Sequence, residues 1–391
     1  MEIIQWSILY NIFTSKAWDD FKEKNYRNIR PIVINNIQKF ILCKEKKLGG
    51  AILSCPKDSC TCSKKIAFTC KCRFCSSCWK IASDNWMNKV ISWAIPDVTY
   101  KHIVFTLPKE FRLFLAKYRK TLDLLFKASS KAIIQICEEK LGFSPWIISV
   151  MHSFGKDLKW NPHMHLIVTA WGLNSSKDKW ISNSFFPFKA LRQAWKYHFT
   201  QLIRKMAISF FSDKDLSIFL NLLDSLFKKD WYINVGKDLH SLEFTIAYIW
   251  RYAKKPVIAE TRLISFDWNY VSYSFKDKEL GKNTIIKEQV SIFLEKIIRH
   301  IPDYNFKIVR YSWIFANRSK KNLLLIVQNI LSKSQIALSY TYKHISSWRE
   351  RITKLSWIDP YICPSCSSLM YISSISFKLK DWFFKTVHFS P

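Results

Sequence analysis

The distribution of cysteines constrains this chain more than any other feature of its sequence. The chain has 391 residues and 11 cysteines, and eight of these fall between residues 43 and 78. Spacings of Cys-x-Cys and Cys-x-x-Cys in a chain without an export signal are typical of metal binding rather than of disulfides. This stretch is also too poor in apolar residues to fold unaided, so we expect structural Zn²⁺ to hold it together. The candidate ligands are Cys43, Cys55, Cys60, Cys62, Cys70, Cys72, Cys75 and Cys78.

The pairing of these thiols stays open at the level of sequence. Cys75 and Cys78 form one knuckle, because a Cys-x-x-Cys turn presents two thiolates to one ion. Eight thiols suffice for two ions, and the other corners can come from Cys70 or Cys72 and from Cys55 with either Cys60 or Cys62. A further pair, Cys363 and Cys366, is either another metal knuckle or two surface cysteines, since two thiols alone cannot complete a tetrahedron.

Net charge limits the class of partner. Lys and Arg total 61 against 30 Asp and Glu, which gives a net charge of +31. Such an excess favours a polyanionic partner, either nucleic acid or an anionic membrane surface. No apolar run approaches the ~18 residues that span a bilayer, and the first residues lack a signal-peptide pattern. We therefore expect a cytoplasmic protein that is associated with DNA and has no membrane partner.

The pattern of apolar residues predicts an α+β fold in three parts. Residues 1–95 form an N-terminal helical and zinc-binding module that contacts DNA, and residues 281–391 form a helical C-terminal region. Residues 96–280 form a central domain in which β-branched and aromatic runs predict a mainly antiparallel sheet. The predicted strands are 100–108, 146–153, 163–170, 261–266 and 271–275, and the predicted helices are 80–95, 110–141, 186–230 and 241–255.

Three histidines of the central domain can meet at one cation. His163 and His165 are two residues apart on a predicted strand, so their side chains point to the same face. His152 lies on the preceding strand and reaches that face if the two strands pair as a hairpin. Three imidazoles leave coordination positions open for water or a phosphate oxygen, as in a catalytic site.

Two tyrosines form a second candidate group for chemistry. On the predicted helix 241–255, Ile249, Trp250 and Ala253 lie on one apolar stripe, whereas Tyr248 and Tyr252 lie together on the opposite face. Tyrosines that are one turn apart can act as paired nucleophiles on phosphodiesters.

Together these groups resemble the two-tyrosine HUH transposases of rolling-circle insertion sequences, the insertion-sequence-91 family. The resemblance extends from about residue 40 to about residue 370 in the order and rough spacing of its motifs. Its carriers are Cys70-Lys71-Cys72-Arg73-Phe74-Cys75-Ser76-Ser77-Cys78, Tyr100-Lys101-His102-Ile103-Val104-Phe105-Thr106-Leu107-Pro108, His152-Ser153-Phe154-Gly155-Lys156-Asp157-Leu158, Pro162-His163-Met164-His165, Tyr248-Ile249-Trp250-Arg251-Tyr252, Phe315-Ala316-Asn317-Arg318 and Cys363-Pro364-Ser365-Cys366.

The resemblance implies a central HUH endonuclease domain and a bacterial transposase. In the family the HUH histidines bind a catalytic Mg²⁺ or Mn²⁺ and the two helical tyrosines are the nucleophiles. These roles fall on His163 and His165 and on Tyr248 and Tyr252. The implied reaction nicks and rejoins single-stranded DNA through 5′-phosphotyrosine intermediates, with duplex DNA as a further partner at the element ends.

The chain departs from the family pattern at several positions, and two other functions compete with the transposase. The departures are Trp250 for a small residue, Asn161 for a histidine, Cys72 for an asparagine, and Ser367 and Ser368 for glycines. A plasmid replication initiator or relaxase would use the same metal and tyrosine chemistry. A non-enzymatic zinc-finger regulator would explain the charge and the cysteines but not the histidine and tyrosine groups.

Overall fold

The structure, a computed structural model, describes residues 7–91, 98–182, 185–239, 256–277, 281–312, 320–333, 347, 349–350, 352–353, 357–378 and 384–390. Within these residues the α-helices are α1 (Ile8–Thr14), α2 (Lys16–Lys24), α3 (Pro31–Ile41), α4 (Ser76–Ile91), α5 (Glu110–Lys117), α6 (Leu122–Ile136), α7 (Phe188–Ala207), α8 (Asp213–Lys228), α9 (Val290–Arg299) and α10 (Lys320–Lys333). The strands are β1 (Gly49–Ser54), β2 (Ser63–Ala67), β3 (Tyr100–Phe105), β4 (Ser144–Phe154), β5 (Trp160–Leu173), β6 (Trp180–Ser182), β7 (Ile233–Leu239), β8 (Leu263–Phe266), β9 (Tyr270–Lys276), β10 (Asn283–Gln289), β11 (Val309–Ser312), β12 (Tyr371–Lys378) and β13 (Phe384–His388).

The α+β class and the antiparallel sheet are confirmed. Strands β3, β4 and β5 coincide with the predicted strands 100–108, 146–153 and 163–170. Strands β8 and β9 coincide with the predicted strands 261–266 and 271–275 and pair as a hairpin. The C-terminal region contains the expected helices α9 and α10, and the structure adds four strands to its described part, β10 to β13. These strands are short, and short apolar runs do not distinguish a strand from a helix. None of the described helices is long and apolar enough to cross a membrane.

The chain divides into two compact units. The first comprises Met1–Asn85, Pro256–Ile301 and His344–Pro391, and the second comprises Trp86–Lys255 and Pro302–Lys343. The predicted three-part division along the sequence stays a prediction.

The second unit is built on a six-stranded sheet. Its order is β11-β4-β5-β3-β7, with β6 paired to β5, and every pairing is antiparallel. Ile103, Phe105 and Leu166 lie on one face and pack against α7, where the Phe105 and Trp195 rings stack at 4.9 Å. Truncating a fully buried Trp such as Trp195 typically costs ~3–5 kcal/mol, so this layer fixes the sheet on that side.

The opposite face of this sheet carries the histidines. Ile148, Val150 and Ile167 form an apolar layer there with Val90 of α4 and Leu323 of α10. Because Val150 pairs with His165 and His152 pairs with His163, the histidines extend this same face beyond the apolar layer.

The first unit contains a four-stranded sheet of order β13-β12-β1-β2 and a three-stranded sheet of order β10-β9-β8. Helix α1 begins at Ser7, whose hydroxyl accepts a hydrogen bond from the Tyr10 amide. The rings of Phe13 and Phe40 pack against each other and against Phe74, which lies between two cysteines of the predicted zinc module. This aromatic contact attaches the cysteine loop to α1 and α3.

Candidate active site and metal centres

The three predicted histidines converge in the structure. Strands β4 and β5 place His152 directly opposite His163, and His165 follows two residues later on the same face. One ring nitrogen from each of these three residues lies within 4.8 Å of the other two. His152 and His165 are buried and His163 is half-buried, so the cluster is accessible from one side.

The backbone beside the cluster bends locally. The register of β4 and β5 shifts between His152 and Phe154, and a short turn follows in which Gly155 donates to the carbonyl of Lys159. Bulges of this kind re-aim side chains and are frequent beside active sites.

Hydrogen bonds orient two of the rings. The Nδ1 atom of His163 lies 2.7 Å from the backbone carbonyl of Asn161, so Nδ1 carries the proton and Nε2 presents the lone pair. The resemblance predicts a histidine where Asn161 stands, but this contact uses the backbone and does not depend on the side chain. The Nδ1 atom of His165 lies 2.9 Å from Nε2 of His102.

His102 is a site residue that sequence reasoning missed. It lies on β3, two residues from Val104, which pairs with His165. The strand itself was predicted, but its pairing with β5 joins residues that are far apart in sequence. The presence of another histidine within a predicted strand of the same domain was the available signal.

Burial keeps the inner imidazoles neutral. It lowers the pKa of His102 to about 4. It also lowers the pKa of His165 well below the usual value, with smaller contributions from the neighbouring histidines. Neutral imidazole is the form that binds metal. Three nitrogen donors fit a divalent transition ion better than Mg²⁺, which prefers an all-oxygen shell.

Four of the predicted cysteines form a first thiol cluster. The Sγ atoms of Cys43, Cys70, Cys75 and Cys78 lie within 4.8 Å of one another. Cys43 is 3.8 Å from Cys75 and 3.6 Å from Cys78, and Cys70 is 3.5 Å from Cys78. A tetrahedron with Zn–S bonds of ~2.3 Å has S···S edges of about 3.8 Å, so the donor set fits Zn²⁺.

Local structure presents these thiols. Cys75 and Cys78 flank the start of α4, and the backbone at Lys71 has a left-handed φ of 54° that turns the chain at Cys70. The thiols of Cys43 and Cys70 lower the pKa of Cys75 to about 7, which favours the thiolate that a metal requires.

Two of the eight predicted cysteines lie outside both four-thiol clusters. The thiol of Cys72 donates to the backbone carbonyl of Asn36 at 3.3 Å. The carbonyl of Cys62 accepts from the amide of Cys55, so Cys62 helps to close the β1–β2 hairpin. Cys55 and Cys60 instead meet Cys363 and Cys366, again with all four Sγ atoms within 4.8 Å. The sequence signal for this meeting was the presence of two pairs of cysteines, each incomplete alone as a metal site: the Cys-x-x-Cys pair at Cys363 and Cys366, and Cys55 with Cys60.

The predicted nucleophiles Tyr248 and Tyr252 lie outside the described residues, as does the predicted helix 241–255.

Comparison with known proteins identifies the family of this chain. Residues 13–107 match the family model described as "Transposase zinc-binding domain", and residues 147–322 match the one described as "Putative transposase". The chain is 30% identical over 325 residues to the "Transposase for insertion sequence element IS801" of Pseudomonas savastanoi pv. phaseolicola, covering 79% of this chain and 76% of that protein. The chain belongs to the insertion-sequence-91 family of transposases.

A second relative agrees with this membership. The transposase is 26% identical over 342 residues to "Putative transposase y4qJ" of Sinorhizobium fredii, covering 83% of this chain and 84% of that protein. No solved structure matches it. DNA is therefore its partner, which is one of the two polyanions that the charge favoured. The match over residues 13–107 supports structural Zn²⁺ at the cysteine module.

Proposed function

We propose that this transposase nicks and rejoins single-stranded DNA at a divalent cation held by His152, His163 and His165. The observation that carries the proposal is the meeting of three imidazoles on the sheet face that is free of the α7 layer. A bound cation would neutralise charge on the scissile phosphate and polarise the phosphorus. The histidines hold that position, and the buried neutral His165 is oriented by His102.

In the proposed reaction Tyr248 and Tyr252 act as the nucleophiles, on the basis of their helical spacing and of the family motif. A phenolic oxygen attacks phosphorus and loses its proton, while the bond from phosphorus to the 3′ oxygen breaks and that oxygen leaves as a hydroxyl. One phosphate ester replaces another, so no nucleotide cofactor is required. The second tyrosine can cut again while the first strand end is still attached, which fits rolling-circle transfer.

The N-terminal module is proposed to contact DNA directly. Lys57, Lys65 and Lys71 are exposed around its cysteines. Contacts from such lysines to phosphates would position the strand without reading its sequence.

A covalent-adduct assay tests the proposal. Full-length protein, Mn²⁺ and 3′-labelled single-stranded oligonucleotides that tile the ends of the element should give a labelled band stable in SDS. The Tyr248→Phe/Tyr252→Phe variant should bind the DNA and form no adduct. The control Tyr232→Phe changes an exposed tyrosine outside the predicted helix and should leave the adduct intact. Adduct formation by the double variant would refute the assignment of the nucleophiles.

A further inference from the structure

We propose that Cys55, Cys60, Cys363 and Cys366 form a second Zn²⁺ site, which fastens residues 357–378 to the β1–β2 hairpin. The family match to a zinc-binding domain ends at residue 107 and includes only half of these ligands. The site is therefore split, with Cys60 and Cys363 separated by 303 residues.

The geometry of the four thiols carries the proposal. Cys55 lies 3.4 Å from Cys366 and Cys60 lies 3.7 Å from Cys363, and all four Sγ atoms fall within 4.8 Å. These separations are close to the ~3.8 Å edges of a Zn-thiolate tetrahedron. The distances match those of the first cluster, which lies in the part of the chain that the zinc-binding family model covers.

Each half-site is a tight turn that points its thiols inward. On the first side, the amide of Cys60 donates to the carbonyl of Lys57. On the second side, the amide of Cys363 donates to the carbonyl of Ser368, and the amide of Ser367 donates back to the carbonyl of Cys363.

The sheet brings the two turns together. Strand β1 pairs with β12 in a register that sets Ser54 opposite Tyr371, so the half-sites flank one end of the same strand pair. Leu53 and Met370 are buried beside the thiols, of which Cys363 is itself buried and the other three are half-buried. Apolar residues around a metal site limit the access of solvent to it.

The split site has a consequence for how the chain is held. A link between Cys60 and Cys363 closes a loop that includes the histidine-bearing sheet, and closing a long loop removes much conformational entropy from the unfolded chain. Loss of this ion should therefore release the β12–β13 segment while the first cluster keeps its own ion.

Cobalt substitution provides the test. Full-length protein is loaded with Co²⁺, and the thiolate-to-cobalt charge-transfer absorption is recorded, to which nitrogen-only sites do not contribute. The Cys363→Ser/Cys366→Ser variant should lose half of this absorption, and Cys62→Ser should lose none. Full absorption in the double variant, or a loss in Cys62→Ser, would overturn the proposal.

A measurement on the unaltered chain covers the case in which the variant does not fold. Zinc-loaded protein is treated with an alkylating reagent, and each cysteine is followed by peptide mass spectrometry. Cys55, Cys60, Cys363 and Cys366 should react slowly and become reactive together when a chelator is added. Fast reaction of Cys363 and Cys366 while Cys55 and Cys60 stay protected would show that the two halves do not share an ion.

Discussion

The Nε2 atom of His102 lies 2.9 Å from the Nδ1 atom of His165, and their rings are parallel to within 8°. If His165 is to bind a cation through Nε2, as proposed, its Nδ1 must carry the proton and donate a hydrogen bond to Nε2 of His102. Burial keeps His102 neutral, so its Nε2 can accept that hydrogen bond. Such outer partners fix the tautomer and the orientation of a metal-binding histidine.

Replacing His102 should therefore weaken metal binding. We expect His102→Ala to lower the affinity of the histidine cluster for Mn²⁺ by about 10–100-fold, as is usual when an outer partner is lost. His102→Gln should lose less, because its amide oxygen can accept the same hydrogen bond. Titration with Mn²⁺ followed by electron paramagnetic resonance measures this. His198→Ala, on α7, is the control, and an unchanged affinity in His102→Ala would refute the positioning role.

Removing two of the three histidines should abolish metal binding at the histidine cluster without affecting metal binding at the thiol clusters. We expect His163→Ala/His165→Ala to abolish tight Mn²⁺ uptake, because only His152 of the predicted three remains. The Zn²⁺ content bound to thiols should not change, since the cysteine clusters use other residues. Metal analysis of the same purified sample after dialysis against each ion gives both values.

Loss of the first thiol cluster should destabilise the first unit. Cys75→Ser removes one ligand, and metal binding to such sites contributes directly to folding free energy. We expect a lower melting temperature by circular dichroism. A chelator should shift the transition of this variant less than that of the unaltered protein, because the variant would have only the proposed second zinc site left to lose. Cys72→Ser is the matched control, because its hydroxyl can still donate to Asn36. An equal effect of the two variants would contradict the four-ligand assignment.

One substitution should stabilise the second cluster. Ser367 has a left-handed φ of 57°, where a side chain costs ~1 kcal/mol or more relative to glycine. Ser367→Gly should therefore raise the free energy of unfolding by about 0.5–1 kcal/mol after the added freedom of the unfolded chain is counted. Ser365 does not have a left-handed backbone, so Ser365→Gly removes no backbone strain and should be neutral or destabilising. Denaturant titration compares them, and a less stable Ser367→Gly would contradict the expectation.

DNA affinity should fall steeply with salt. A chain with a net charge of +31 that neutralises several phosphates of a single strand releases their counterions, with a slope of ~0.7 per contact in a double-logarithmic plot. Fluorescence anisotropy of a labelled oligonucleotide at increasing NaCl measures this slope. A flat response would contradict the polyanion argument.

Local patterns predicted the parts of the site that neighbouring strands build. His152, His163 and His165 could be placed together because a strand alternates its faces and a short turn joins β4 to β5. The contact of His102 with His165 depends on the β3–β5 pairing, and the meeting of Cys60 with Cys363 depends on the β1–β12 pairing. The periodicity of a short segment does not reveal which distant strand it pairs with.

The spacing of the cysteines could not predict which of two neighbouring cysteines joins a metal cluster. Cys70 joins the first cluster and Cys72 does not, because the left-handed backbone at Lys71 turns the two thiols to different neighbours. Spacing alone predicts that either can ligate. The choice between Cys60 and Cys62 is settled in the same way, by a turn at Lys57 and by the end of the hairpin.

Strand β1 lies between β2 and β12. The backbone groups along one of its edges therefore pair with residues that come about 300 positions later in the chain. During synthesis on the ribosome the β1–β2 hairpin emerges early and waits with that edge unpaired until residues 371–378 have been translated. A message truncated shortly before this point would yield a chain with an open strand edge, which is a template for aggregation. An incomplete copy of this protein would thus be prone to aggregate along the open edge of β1.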